Sequence, residues 1–143
     1  MSAVGRDDAA ELRIALESDK LRVGLPERVL YSEAMRTTTT ATMVFGDLVE
    51  DCWGDTRLYG ADADEVLRIL SEFPDEVTSL AVVGHNPTIH ALSLELSGPM
   101  RTHPFSERYR PGELCVLRAK GATWAELGRG DFEIEASWTL SRP

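Results

Sequence analysis

The sequence predicts an α/β fold of three layers, in which helices cover both faces of a mostly parallel central sheet. Two observations support this prediction. Segments with the apolar spacing of an α-helix alternate along the chain with short apolar runs, and such runs are typical of strands buried on both faces. Helices placed between strands also supply the long crossover connections that parallel strands need. The 143 residues suffice for one domain, and we expect a single domain over residues 1–143.

The first three predicted elements are a helix, a strand and a second helix. Asp7 suits a helix first turn, and apolar residues then follow at helical spacing: Ala9, Leu12, Ala15 and Leu16. The short apolar run at residues 28–31 predicts a buried strand. The apolar spacing over residues 35–49 predicts a helix, although its four consecutive threonines, Thr37–Thr40, are weak helix formers because they are β-branched.

The middle of the chain adds a capped helix, a second strand and a further helix. Asp62 followed three residues later by Glu65 has the pattern of a capping box at a helix start. The run Leu-Ala-Val-Val at residues 80–83 predicts a second buried strand. Asn86 and Pro87 predict an N-cap and the first helical position of the helix that follows.

The last third of the chain changes to strand patterns. Residues 114–117, 123–127 and 132–140 are each short and rich in apolar residues. The last of them alternates apolar and polar positions, which is typical of a half-buried strand. We therefore expect these three strands to add an antiparallel edge to the sheet.

The net charge of the chain limits its partners. Acidic residues outnumber basic ones by 24 to 15, which gives a formal charge of −9 and a pI near 4.8. A field of this sign repels polyanions, so neither nucleic acid nor an anionic membrane is expected as a partner. A small anionic ligand is still compatible with this charge, because one or two cations dominate the field inside a pocket.

The sequence also bears on location and cofactors. No apolar run approaches the roughly 18 residues of a membrane-spanning helix, and no secretory signal is visible at the start. Cys52 and Cys115 are far apart in sequence, and we expect both to be reduced thiols in a cytoplasmic protein. Neither metal-ligand spacing nor a Gly-rich phosphate loop is present, so we expect no metal and no other cofactor.

Two predicted strands end in residues that suit an anion. Arg36 follows the strand at residues 28–31, and His85 and Asn86 lie between the strand at residues 80–83 and a helix N-terminus. Ligands of open α/β sheets bind at the carboxyl ends of strands, and a helix N-terminus attracts anions. The planar arginine fork and the histidine donor would bind a phosphoryl group there. The alternatives are an ion pair of Arg36 with Glu33 and a structural hydrogen bond of His85.

Three pieces of the sequence resemble a known family. They are Gly-Arg-Asp-Asp-Ala at residues 5–9, Tyr-Ser-x-x-x-Arg-x-x-x-Thr-Ala at residues 31–41, and Val-Val-Gly-His-Asn-Pro at residues 82–87. In this order they are similar to the histidine phosphatase superfamily, whose fold is phosphoglycerate mutase-like, and within it to the SixA-type phosphohistidine phosphatases. Glu33 and Thr39 stand where proline and glutamine are usual in that family.

The resemblance implies a metal-independent phosphatase. Its substrate would be a phosphohistidine protein or a small phosphoester, and a family histidine would form a phosphohistidine intermediate. Arg36 and His85 would be the catalytic residues of this chain that stabilise the phosphoryl oxygens, and Asn86 would join them in binding substrate. Some relatives place an acidic proton donor near Asp55.

The chain departs from this family at its first strand. The family nucleophile belongs to an Arg-His-Gly motif that ends that strand, whereas His85, His90 and His103 all lie downstream of the first helix. We therefore expect an N-terminally incomplete domain whose sheet has a gap where the first strand is missing. A monomer is expected for a form with that strand, and association for these residues alone. The alternatives to an active enzyme are a non-catalytic phosphate- or phosphoprotein-binding module, which is a pseudophosphatase, and a structural α/β domain.

Overall fold

The computed structural model describes residues 3–98, 112–119, 123–127 and 132–138. Within these residues the chain forms four α-helices and five β-strands. The helices are α1 (Ala3–Glu17), α2 (Met35–Phe45), α3 (Ala63–Leu70) and α4 (Thr88–Ser97). The strands are β1 (Arg28–Ser32), β2 (Asp51–Asp55), β3 (Leu80–Val83), β4 (Leu114–Ala119) and β5 (Phe132–Trp138). Among the described helices, none is both long and apolar enough to cross a membrane.

The first three strands form a parallel sheet in the order β2-β1-β3. Ser32 of β1 is in register with Asp55 of β2, and Tyr31 of β1 is in register with Val83 of β3. The carboxyl ends of the three strands therefore meet at one edge of the sheet. The predicted α/β class is confirmed, with helices on both faces of a parallel sheet.

The two C-terminal strands are antiparallel but do not extend that sheet. Within the described residues, β4 and β5 pair only with each other. Leu117 and Phe132 pack into the core that α3 and α4 cover, and Leu114 and Trp138 pack against the core beneath α1 and α2. The second sheet thus shares both cores with the first, although no described strand joins them. The expected antiparallel edge is instead a separate two-stranded sheet.

Apolar residues of β1 face both cores. Val29 is fully buried and packs with Ala9 and Leu12 of α1 and with the apolar face of α2. Leu30, its neighbour, points to the opposite face and packs with the apolar side chains of α3 and α4. Burial on both faces is why this strand has no alternation of polar and apolar residues. The predicted face of the first helix is confirmed, since Ala9, Leu12, Ala15 and Leu16 are all buried.

The second helix is shorter than predicted, because α2 ends at Phe45. The backbone N–H groups of Leu48 and Val49 both donate to the carbonyl of Phe45. This turn folds back on the helix end and buries Val49, so the apolar spacing continues beyond the helix itself. The hydroxyls of Thr39 and Thr40 donate to the carbonyls one turn earlier, at 2.8 and 2.9 Å, so both are satisfied within the helix.

Two other predictions were wrong. The predicted strand at residues 123–127 contains a single 3₁₀ turn, Trp124–Glu126. The indole N–H of Trp124 donates to the carbonyl of Val77 at 2.6 Å, and this long-range anchor overrides the local pattern. Asn86 is not the N-cap of α4, because Pro87 occupies that position and the helix begins at Thr88.

The capping box at the start of α3 is confirmed. The carboxylate of Asp62 accepts from the backbone N–H of Glu65 at 2.8 Å, and the Glu65 carboxylate accepts from the Asp62 N–H at 3.3 Å. We expect Asp62→Ala to lower the free energy of unfolding by about 1 kcal/mol, measured by urea denaturation. The control is Asp64→Ala, which removes the same charge from the same helix turn without removing the cap. Equal losses in the two variants would contradict a capping role.

Candidate functional site

The carboxyl ends of β1 and β3 bring a serine and a histidine together. Ser32 is the last residue of β1 and is fully buried. His85 follows β3 by two residues, and its Nε2 lies 2.9 Å from the Ser32 hydroxyl oxygen. This hydrogen bond joins neighbouring strands at the edge where ligands of parallel sheets bind. It also fixes the position of the imidazole relative to the sheet.

The turn after Ser32 is held by hydrogen bonds from one side chain to the backbone. The hydroxyl of Thr37 donates to the Ser32 carbonyl and to the Ala34 carbonyl, the second at 2.9 Å. Thr37 is itself buried. The start of α2 is therefore tied to the end of β1, which makes a short and well-defined connection. The sequence interpretation named Ser32 as part of a motif but missed its bond to His85. The signal was a polar residue at the end of an otherwise apolar strand.

Arg36 and Asn86 lie at the same edge of the sheet. Arg36 is the second residue of α2, four residues after Ser32, and its side chain is exposed. Within the described part of the chain, its guanidinium forms neither a hydrogen bond nor an ion pair, so the alternative pairing with Glu33 is not formed there. Asn86 is exposed and directly follows His85. The roles of these residues as phosphate ligands stay predictions.

Asp55, at the end of β2, is bound by a neighbouring arginine. The Arg57 guanidinium contacts both carboxylate oxygens, with Nε at 3.0 Å from Oδ1 and Nη2 at 2.7 Å from Oδ2. The backbone N–H of Arg57 donates to Oδ1 as well. These contacts, mainly the side-chain hydrogen bond, lower the pKa of Asp55 below its ordinary value. Asp55 is therefore ionised at neutral pH, which argues against the proton-donor role.

Arg57 also links this strand end to the next helix. Its Nη1 forms an ion pair with Glu72, which follows the end of α3. The arginine thus bridges two carboxylates, and the short 3₁₀ turn that contains it, Thr56–Leu58, is held in place. Because the side chains of Arg57 and Glu72 are both about half exposed, we assign this network a positioning role and little stabilisation.

The side chain of Glu33, a second carboxylate, packs against Gly54 near the end of β2. A Cβ atom on Gly54 would lie 2.6 Å from Cγ of Glu33 and 3.0 Å from the ring of Tyr31. A residue larger than glycine would displace one of these side chains. The site edge therefore carries an exposed carboxylate near β2 as well as the cationic and polar groups near β1 and β3.

The two other histidines of the sequence are His90 and His103. His90 lies within α4, and its carbonyl accepts a hydrogen bond from the Ser93 hydroxyl. His103 lies outside the described residues. In the ranges that the structure describes, no three His, Cys, Asp or Glu side chains are grouped as a metal site would require.

Solved structures with the same fold are proteins named as phosphohistidine phosphatases. The SixA protein of Nakamurella multipartitia superposes with a TM-score of 0.80 and 22% identity over 99% of this chain and 85% of its own. The SixA protein of Agrobacterium tumefaciens gives 0.78 and 19% identity over 98% and 82%. The protein histidine phosphatase SixA complexed with tungstate gives 0.72 and 22% identity over 96% and 81%. The chain therefore has the fold of these SixA proteins.

Sequence relatives come from mycobacteria. Uncharacterized protein ML1117 of Mycobacterium leprae is 37% identical over 122 residues, which cover 81% of this chain and 74% of the relative. Uncharacterized protein Rv1276c of Mycobacterium tuberculosis is 33% identical over 117 residues, which cover 77% and 72%. No family model matches the sequence. The chain belongs to the family of these mycobacterial proteins and has the SixA-type fold.

Proposed function

We propose that this protein is a phosphatase that acts on phosphohistidine proteins or small phosphoesters, with the phosphoryl group bound by Arg36, His85 and Asn86. The observation that carries the proposal is the hydrogen bond between His85 and the buried Ser32. It lies at the carboxyl-terminal edge of the parallel sheet, where α2 begins with Met35 and Arg36. The SixA-type fold supports it, and so does the tungstate held by one solved relative, since tungstate is an oxyanion like phosphate.

The chemistry of these groups suits a phosphoryl group in transfer. The Arg36 guanidinium would bind two equatorial oxygens with a charge-assisted pair of hydrogen bonds. His85, held by Ser32, would donate to another oxygen, while the N-terminus of α4 adds the positive end of its dipole. Because charge shifts across these oxygens during transfer, fixed donors stabilise the transition state.

The reaction would have two steps. A histidine nitrogen attacks phosphorus, so an N–P bond forms while the bond to the leaving group breaks. Water then attacks the same phosphorus, the N–P bond breaks, and inorganic phosphate leaves. His85 is engaged with Ser32, and His90 lies inside α4. We therefore assign the nucleophile to a further strand that would pair beside β3, as the family resemblance implies.

The state of Asp55 favours one substrate class over another. An alkoxide leaving group needs a proton donor, and Arg57 keeps the Asp55 carboxyl ionised. The second ring nitrogen of a phosphohistidine can take up a proton near neutral pH, as a histidine ring does with a pKa of about 6.5, so the ring leaves as neutral imidazole without a proton donor from the enzyme. The geometry thus favours a phosphohistidine protein over an alkyl phosphoester as substrate.

Replacing Arg36 tests the proposed pocket. We expect Arg36→Ala to weaken the binding of tungstate or phosphate by about 1.5–3 kcal/mol, the range for a hydrogen bond to a charged group, measured by isothermal titration. Arg68→Ala is the matched control, because it removes the same charge from the last turn of α3. An equal effect of the two substitutions would contradict the pocket and indicate only a general loss of positive charge.

The second candidate function is a non-catalytic phosphate-binding module. It is favoured by one observation: among the described residues we assign no nucleophile, since His85 is bonded to Ser32 and His90 lies inside α4. Oxyanion binding without hydrolysis of a phosphoramidate, in a chain that carries the additional strand, would support this second function.

A further inference from the structure

Tyr59 places an exposed aromatic ring beside His85. The two ring centroids are 6.1 Å apart and the ring planes are nearly perpendicular, at 87°, an arrangement that aromatic pairs favour. Although its ring contacts His85, Tyr59 is 70% exposed. Most of the Tyr59 ring surface is therefore available to a ligand bound at the carboxyl-terminal edge of the sheet.

The backbone on both sides of Tyr59 is anchored. Leu58 before it is buried in the core, and the Tyr59 N–H donates to the carbonyl of Thr56. Ala61 after it is buried, and its carbonyl accepts from the hydroxyl of Thr88, the first residue of α4, at 2.7 Å. The exposed ring therefore belongs to a segment whose backbone is held in place. This reduces the entropy lost when a ligand packs against the ring.

A second exposed apolar side chain lies at the same edge. Met35 begins α2, directly before Arg36, and is 82% exposed. The two candidate ligands of the phosphoryl group, Arg36 and His85, thus each have an exposed apolar neighbour. A site that bound inorganic phosphate alone would gain nothing from apolar surface here, whereas a site for a phosphorylated group with an apolar body would.

We propose that Tyr59 is a specificity-determining residue whose ring packs against the group attached to phosphorus and selects a planar ring over an aliphatic group of similar size. This inference rests on the proposed function. It deepens that function by assigning the selection of the leaving group to one residue. Planar rings stack on a tyrosine face, and such pairs add to the energy of simple area burial.

The experiment compares two phosphonates that differ in planarity. Phenylphosphonate and cyclohexylphosphonate carry the same number of carbons on the same anionic head. We expect the wild-type chain to bind the phenyl compound more tightly, and Tyr59→Leu and Tyr59→Gln to reduce that preference by about three- to tenfold. Tyr59→Phe should retain the preference. Titrations followed by NMR or calorimetry give the two dissociation constants for each variant.

A matched control comes from a second exposed aromatic residue. Trp53 is 52% exposed, and its ring lies 6.0 Å from the Arg28 guanidinium at the opposite end of β1 from Ser32. Trp53→Leu should leave the phenyl preference unchanged. Because Tyr59 is exposed, its variants should keep the wild-type circular dichroism spectrum, and either non-aromatic variant suffices for the test.

Each remaining outcome overturns the inference. If Tyr59→Leu weakened both phosphonates and inorganic phosphate by the same factor, Tyr59 would only orient His85. If the preference survived in both non-aromatic variants, another surface would select the ring. If the wild-type chain bound inorganic phosphate but showed no phenyl preference, the specificity role would fail while the pocket stood. If it bound neither phosphate nor phosphonates, the proposed function itself would fail.

Discussion

Replacing Leu30 by alanine is expected to lower the free energy of unfolding by about 2–5 kcal/mol. Leu30 lies in the central strand of the parallel sheet, is 2% exposed, and packs among apolar side chains of α3 and α4. Both neighbouring strands are fixed by pairing, so the cavity left by the substitution is unable to collapse fully. A small domain has roughly 5–15 kcal/mol of stability in total, and urea denaturation should therefore show a midpoint far below that of the wild type.

The matched control for this prediction is Leu25→Ala. Leu25 precedes Pro26 in the loop before β1 and is 41% exposed. The same change of side chain there should alter the free energy of unfolding by less than about 0.5 kcal/mol. If both leucine variants lost the same stability, Leu30 would not be at the centre of the core that the structure describes.

Two parallel strands could be predicted from the sequence because each contains a short apolar run. Val29 and Leu30 belong to a short apolar run, and the second such run, residues 80–83, forms the whole of β3. β2 was missed for the opposite reason. In the part of the chain that the structure describes it pairs on one side only, and its residues Asp51, Gly54 and Asp55 are of types that strands usually avoid. Only its register with β1 makes it a strand, and register is a tertiary property.

The candidate site was partly predictable for a similar reason. The sequence predicts that Arg36 and His85 lie at the same edge of the sheet. Each follows a strand, and the carboxyl ends of parallel strands meet at one edge. The partner of each group depends on side-chain directions that no spacing gives. The bond from His85 to Ser32 spans 53 residues, and the contact between Asp55 and Arg57, which lowers the pKa of Asp55, also depends on side-chain directions.

Among the described residues β3 has a paired strand on one side only, and this leads to the prediction with the largest effect on activity. β3 pairs with β1 on one side, and within the described residues no strand pairs with it on the other. All four residues of β3 are apolar yet only half-buried, whereas Val29 and Leu30 of β1 are buried. β4 is likewise half-buried over most of its length. Unpaired backbone groups and partly exposed apolar strands favour association with other copies of the chain.

We expect residues 1–143 alone to be marginally stable, to associate, and to show no phosphatase turnover. A version with an added N-terminal strand that ends in Arg-His-Gly should pair with β3, melt at a higher temperature and hydrolyse a phosphoramidate. The matched control carries the same added strand with its histidine replaced by asparagine. That control should melt like the extended form and show no turnover, because it restores the sheet without the nucleophile.

The three chains separate the structural effect of the strand from its chemical effect. Melting temperature reports whether the strand covers the open edge of β3, and sedimentation reports whether association stops when it does. Phosphoramidate hydrolysis reports whether a histidine on that strand reaches a phosphoryl group held by Arg36 and His85. Equal turnover in residues 1–143 and in the extended chain would place the nucleophile within the 143 residues. The assignment of the nucleophile to the added strand would then be wrong.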